Sequence, residues 1–369
     1  MITKYIDTDN RFYELFDRDT GLYIRSGIME NGKDTGVEPF MRSFPGLIDV
    51  GVMGQCAHGI SGYCQKSGTQ CYQNGASIVR ENMTLDNFCM IVDQCRGKVF
   101  QLALGGRGDV DQHENCEEIL AYSRENDIVP NFTTSGFGLT RRIVEMLSEY
   151  VGAVAVSWYR AKYTHNAIEM LVGAGIKTNI HYILGKNTID EAIERLDNDS
   201  FPKGINAVIF LLHKPKGQGT AENILISSNA HIRRFFELVD KKRYPFKVGF
   251  DSCSCAGILN HTECISFDSI DYCEGARFSC YIDAQMKMMP CSFAADVDEW
   301  QVCLNHISIE EAWNSNAFAV FRSHLAGSCS ACNLRQYCGG GCPLFPEITL
   351  CAKAERTSTA QLLEQPVYR

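Results

Sequence analysis

Three cysteines, Cys56, Cys64 and Cys71, share the glycine-rich stretch "GQCAHGISGYCQKSGTQCYQNG" at 54–75. Seven and six residues separate them, a spacing no zinc knuckle uses. A second set, "CSACNLRQYCGGGC", runs Cys329-x2-Cys332-x5-Cys338-x3-Cys342, with Cys351 beyond it. These five thiols within 23 positions exceed the four ligands of one zinc site. Cys273 and Cys291 flank a hairpin-like segment, "FSCYIDAQMKMMPCSF" at 278–293, and a hairpin can bring both to one metal. Iron–sulfur clusters are commonly held by four thiolates each. Cys329, Cys332, Cys338 and Cys351 suit one cluster. Cys273, Cys291 and Cys342 supply most of another, with the remaining ligand open between Cys253, Cys255 and Cys264. Structural zinc is the alternative for these sets. For the first loop the alternatives are zinc or a non-catalytic cluster, and His58 as a fourth ligand would close the site.

The chain that must position these thiols has 369 residues, 45% hydrophobic and 21% charged, which suits one large domain and a smaller one. Its net charge of -9, with no basic run longer than "KKR" at 241–243, argues against nucleic acid as a partner. No apolar run is long enough to span a bilayer, and the polar start "MITKYIDTDN" is unlike a signal peptide. The expected location is the cytoplasm. There, 18 cysteines point to metal rather than to disulfides.

Short apolar runs occur at 47–53 and 99–106, and then about every 25 residues at 129–135, 153–159, 177–184 and 206–213. Helical patterns fill the gaps, at 84–95 (with Thr84 as a cap), 111–126, 139–150, 164–175 and 188–198, with another at 227–243. Strand–helix alternation at this rhythm means parallel βαβ units. Six units then a change of pattern predict an α/β fold, a partial (β/α)6 TIM-like barrel, with a C-terminal Cys-rich Fe–S domain. Residues 1–45 are read as an N-terminal extension holding a hairpin, 46–250 as the barrel and 251–369 as the metal-stapled domain. In barrels of this kind the chemistry sits at the C-terminal ends of the strands. Cys56, Gly105, Gly106, Ser135, Ser157 and His213 fall at or just beyond those ends.

The run "CEGARFSCYIDAQMKMMPCSF", followed by "CSACNLRQYCGGGC" and Cys351, resembles the SPASM domain of radical SAM enzymes. The resemblance covers about residues 46–355. It implies a [4Fe–4S] cluster on Cys56, Cys64 and Cys71 whose fourth iron binds S-adenosylmethionine, and two auxiliary [4Fe–4S] clusters. It also implies that "LALGGRGD" occupies the place of the family's Gly-Gly-Glu-Pro-like turn, with backbone at Gly105 and Gly106 approaching the cofactor. Two departures stand out. The family's C-x3-C-x2-C spacing becomes C-x7-C-x6-C, and Arg107-Gly108-Asp109 replaces the acidic residue of the turn. Asp109 is the expected substitute acceptor for the methionine ammonium. Ser135 in "TTSG" and Ser157 in "AVSW" resemble positions near the methionine and ribose, and Arg160 is assigned to the cofactor carboxylate. Tyr63 or Tyr72 packs on the adenine. Asn179, sharing a face of strand five with His181, is also assigned to the cofactor, whereas His181 reads as a core histidine. Cys89, Cys95, Cys116 and Cys280 read as packing thiols; Cys303 has no assigned role, and no catalytic acid or base is singled out.

The activity this implies is reductive generation of a 5′-deoxyadenosyl radical for hydrogen abstraction, most often to modify a ribosomal peptide by a thioether or carbon crosslink. Formylglycine formation in sulfatases and small-molecule dehydrogenation are the enzyme alternatives. An Fe–S electron carrier or a zinc-stapled binding protein is the non-enzyme one. The implied partners are a peptide or protein substrate and a flavodoxin- or ferredoxin-type electron donor.

Overall fold

The computed structural model describes residues 1–266, 269–327, 329 and 332–351. The chain divides into two compact units that do not follow sequence order. The first comprises Met1–Thr69, Asn74–Thr178 and Gly275–Arg322; the second comprises Gln70–Gln73, Asn179–Glu274 and the described residues from Ser323 onward.

In the first unit, parallel strands β1 (Leu47–Val50), β2 (Gln101–Leu104), β3 (Val129–Thr134) and β4 (Val154–Ser157) pair in sequence order. Helices α1 (Leu85–Cys95), α2 (Cys116–Glu125), α3 (Arg141–Tyr150) and α4 (Lys162–Gly173) alternate with them. The predicted cap is in place: the Thr84 hydroxyl accepts from the Asn87 amide at 3.2 Å, and Thr140 caps α3 in the same way. The helix expected over 111–126 breaks in two, a short 3-10 turn at Val110–Gln112 and then α2. His113 is the reason. Its Nδ1 accepts from the Asn115 amide at 3.0 Å and its Nε2 meets the Met83 carbonyl at 2.9 Å, so a local side-chain bond replaces the helical one.

The second unit continues the pattern with parallel β5 (Thr178–Leu184), β6 (Ala207–Leu212) and β7 (Lys247–Phe250), and with α5 (Ile189–Asp197) and α6 (Ile232–Lys241). The last of these starts five residues later than its pattern, because Asn229 Oδ1 takes the His231 amide in a turn. A short helix, α7 (Cys255–His261), follows β7.

The expected hairpin exists as antiparallel β8 (Ser279–Ile282) and β9 (Lys287–Met289), extended by β10 (Val302–Cys303). The first of these, which the sequence grouped with the C-terminal domain, pairs in parallel with β1, with Tyr281 opposite Asp49. The N-terminal segment holds more than a hairpin. Ile2–Asp7, Phe12–Asp17 and Tyr23–Arg25 form a three-stranded antiparallel sheet, and Met29–Glu30 pairs with Lys33–Asp34. Its inner face is tied down by a buried Arg42–Glu14 ion pair at 3.1 Å and by Phe16 stacked on Phe100 at 5.4 Å.

Burial alternates along the strands of the first unit. Ile48, Val50, Leu102, Leu104 and Phe132 are fully or almost fully buried, while Asp49, Gln101, Ala103, Asn131 and Thr133 on the other face are only partly so. A period of two means that this second set lines the inner face of the barrel wall.

Candidate functional site

The cysteine loop leaves β1 at its C-terminal end and makes two short helical turns, Ala57–Ile60 and Tyr63–Lys66. Cys56 caps the first: its sulfur accepts the Gly59 amide at 3.1 Å. Cys56 and Cys64 are buried. The loop closes tightly on itself, since a Cβ at Gly59 would sit 2.5 Å from the Gly75 carbonyl carbon. His58 is buried and engaged on both sides, with Nδ1 2.7 Å from Cys64 Sγ and Nε2 2.5 Å from the Tyr163 hydroxyl. Phe137, Tyr159 and Tyr63 surround it with ring centroids 4.8–6.1 Å away. Burial lowers the pKa of His58. It also raises that of Tyr163, to about 12, with Cys64, Asp109 and Tyr63 adding to the rise.

The turn after β2 packs directly on this loop. Gly108 (φ 76°) lies so close that a Cβ there would collide with the Gln55 carbonyl and come within 3.3 Å of the Cys56 Cα. At Gly106 (φ 94°) a Cβ would stand 2.6 Å from the Tyr281 hydroxyl, and Gly51 abuts the same phenol. Only glycine combines these positive φ values with such approach. The next residues are a carboxylate pair. Asp109 accepts from the Ser135 amide at 2.6 Å and from the Ser135 hydroxyl at 2.5 Å, and Asp111 accepts from Thr134 Oγ1 at 3.0 Å. The second oxygen of Asp111 is buried without a hydrogen-bond partner. Burial raises both pKa values, that of Asp111 to about 7, with the Asp109 charge adding to it. Sequence reasoning named Asp109 and Ser135 but missed Asp111, whose i+2 spacing from Asp109 was the available signal.

The other expected residues divide. Ser157 ends β4, partly buried, and Arg160 follows it, exposed and in the left-handed region at φ 59°. Trp158 is a core residue, edge-on to His165 at 5.0 Å. Asn179 corrects the expectation. It is the second residue of β5, at the N-terminal end, and its Oδ1 accepts from Asn206 Nδ2 at 2.8 Å. Shared facing with His181 says nothing about which end of a strand a residue occupies, and the reactive end is the other one. His181 is held neutral, its pKa pushed down to about 4 by desolvation against the pull of Asp251. Cys95, Cys116 and Cys280 are buried as expected; Cys89 is partly exposed.

In the second unit, Cys71 and Tyr72 lie against the loop after β6. The Gln218 amide donates to the Cys71 carbonyl at 2.9 Å, and a Cβ at Gly217 would meet the Tyr72 carbonyl at 2.5 Å. That loop carries Lys214, buried and bonded to Asp251 Oδ2 at 2.6 Å. Desolvation opposes its charge, but Asp251, Cys253 and Cys342 outweigh it and keep the ammonium protonated. Cys253 and Cys342 themselves are hydrogen-bonded through sulfur, and this contact leads the causes that raise the Cys253 pKa. Cys255 instead donates to the Tyr337 carbonyl at 3.1 Å, and Cys264 is exposed. Cys338 is raised by burial and then by the neighbouring Cys351, Cys329 and Cys332. Among the described residues no three His, Cys, Asp or Glu side chains already converge on one metal-ion position.

No protein-family model matches this chain, and no curated protein matches it. Solved structures do. Streptococcus suis SuiB bound to precursor peptide SuiA superposes with a TM-score of 0.69 at 14% identity, over 96% of this chain and 98% of that one. SuiB bound to S-adenosylmethionine gives 0.62 at 16%, over 83% and 75%. Native anSMEcpe with bound AdoMet gives 0.58 at 14%, over 86% and 96%. The fold is shared with these SuiB and anSMEcpe structures. At such identities the likeness is one of fold, and the partial barrel read from the strand rhythm stands. Among the described residues no helix is long and apolar enough to cross a membrane.

Proposed function

We propose that this chain is a radical SAM enzyme that modifies a peptide or protein substrate. The carrying observation is the packing of the Gly106–Gly108 turn on the Cys56 loop at the C-terminal ends of β1 and β2. That placement suits a small cofactor held between a cysteine loop and exposed backbone. The residues fit a [4Fe–4S] cluster and S-adenosylmethionine by their chemistry: two buried thiols, one of them amide-capped, on a glycine-folded loop, and a buried carboxylate pair with one unpartnered oxygen beside it. Cys56, Cys64 and Cys71 would hold the cluster. When bound, it would supply the electron that splits S-adenosylmethionine, and the radical chemistry would be the cofactor's own.

The protein's part is to bind and orient. Asp109 and Asp111 would serve a cofactor ammonium, with Ser135 and Thr134 aligning them. Gly105 and Gly106 would offer backbone to the cofactor and Ser157 would stand beside it, Arg160 is the rim cation for its carboxylate, and Tyr72 or the half-exposed Tyr63 serves the adenine. For auxiliary clusters, the grouping of Cys338 with Cys351, Cys329 and Cys332 supports one four-thiol set. The Cys253–Cys342 contact favours Cys253 over Cys264 as partner of Cys342, Cys273 and Cys291 in the other. A peptide substrate is supported by the fold shared with SuiB, whose structure holds precursor peptide SuiA, and with anSMEcpe, whose structure holds the Cp18Cys peptide.

The test is anaerobic reconstitution. Three four-iron clusters predict about 12 irons per chain. The Cys56/Cys64/Cys71→Ala triple variant should keep about 8 and lose dithionite-dependent release of 5′-deoxyadenosine. Zinc in place of iron, or release unchanged in the variant, would overturn the reading.

A further inference from the structure

Asp49 is an acid on the inner face of the barrel wall, without a counter-ion among the described residues. It belongs to β1, between the fully buried Ile48 and Val50 of the opposite face. Register places Tyr281 of β8 on one side of it and Ala103 of β2 on the other, with Asn131 of β3 next in the same row. Gln101 and Asn131 satisfy each other at 2.8 Å. Directly beyond the row come Gly51, Gly105 and Gly106, with the Tyr281 phenol against Gly51 and Gly106. Among the described residues no hydrogen bond or ion pair reaches the Asp49 carboxyl. Its pKa is raised to about 7, by desolvation alone. The titratable groups beside it are the Tyr281 phenol and the Cys280 thiol, whose own pKa is raised in part by Asp49. Neither is a cation.

An enclosed carboxylate in a wall of amides, hydroxyls and methyl groups is costly unless a positive group joins it. Its neighbour across the row is the small Ala103, and Asp49 is itself only partly buried. We infer that Asp49, with Tyr281, forms a recognition site for a cationic side chain, an ammonium or guanidinium, of the molecule that enters the barrel. This rests on the proposed function and narrows it: the peptide would carry a Lys or Arg near the modified position. The cation could also be that of S-adenosylmethionine itself, so the experiment must separate the two sources.

The probes are N-acetyl-lysine methylamide and its neutral isostere N-acetyl-norleucine methylamide, titrated into full-length reconstituted protein with thermal stability and 13C-carboxyl NMR as readouts. No turnover is needed, so a failure of radical chemistry does not affect the result. The lysine probe should raise the melting temperature and shift one Asp carboxyl resonance, and the norleucine probe should do neither. Asp49→Asn should abolish the response, and saturating S-adenosylmethionine should leave it in place. If Asp49→Asn does not fold, the wild type still decides. Binding limited to the ionised carboxyl weakens by up to about tenfold per pH unit below pH 7 and levels off above it. Equal response to both probes, a response that persists in Asp49→Asn, a pH-independent affinity, or displacement by S-adenosylmethionine would each overturn the inference.

Discussion

At the scale of single residues, the protein keeps several ionisable groups in poor solvent, and their signs differ. Asp49 has a folded pKa near 7 against about 3.9 in an unfolded chain. Because the folded value is the higher one, the unfolded chain ionises first. Its contribution is intact below about pH 4 and is lost as pH rises to 7. Asp49→Asn should therefore be more stable than wild type at pH 8 by a few kcal/mol, at about 1.4 kcal/mol for each pH unit that separates the folded and unfolded values, with the gain gone at pH 4. Urea titrations at the two pH values measure it, and an equal difference at both would refute the account. Lys214 is the reverse case, a buried cation with its partner present. Lys214→Met leaves the Asp251 carboxylate uncompensated and should cost about 3–5 kcal/mol. The Lys214→Met/Asp251→Leu double variant should recover part of that loss.

At the scale of elements, caps and close approaches decide where chains turn. Thr84→Ala removes the side-chain acceptor for the Asn87 amide and should cost about 1 kcal/mol, read from denaturant midpoints, with cofactor content unchanged. Gly108→Ala acts differently. Its added Cβ collides with the Gln55 carbonyl in a left-handed backbone, so the turn must move off the cysteine loop. We expect 5′-deoxyadenosine release to fall at least about tenfold, the equivalent of 1.4 kcal/mol in positioning, while the fold persists by circular dichroism. Retained release would mean that contact between turn and loop is not what orients the cofactor.

At the scale of the whole molecule, a thiol contact ties sequence-distant parts of the second unit together. Cys253 follows β7 and Cys342 lies near the C-terminus, yet their sulfurs meet. If clusters are bound there, they contribute to folding as well as to redox chemistry. Removing iron with a chelator under reducing conditions should lower the melting temperature of the reconstituted protein, and the Cys253→Ala variant should show a smaller drop than wild type. An identical drop would place Cys253 outside any cluster.

The order of strands and helices and the barrel class were legible in the sequence because each is a local signal: a period of two or 3.6, or a cap. The Thr84 cap and the six apolar runs came through nearly residue for residue. What the sequence could not carry was partnership between distant residues. The parallel pairing of β8 with β1 sets Tyr281 beside Asp49, and no local spacing announces a partner so far along the chain. The same holds for Lys214 beside Cys253 and Cys342, and for His58 held between Cys64 and Tyr163. Asn179 was misjudged for a related reason. Alternation tells which face a side chain occupies, whereas the strand's real end, set by pairing and by the Asn206 bond, tells whether it can reach the chemistry. Sequence alone determined what kinds of groups the chain owns and in what order. Tertiary structure decided which of them are desolvated, which have partners, and that no cation stands beside Asp49 among the described residues, because burial and Coulomb energy depend on neighbours that only the folded chain supplies.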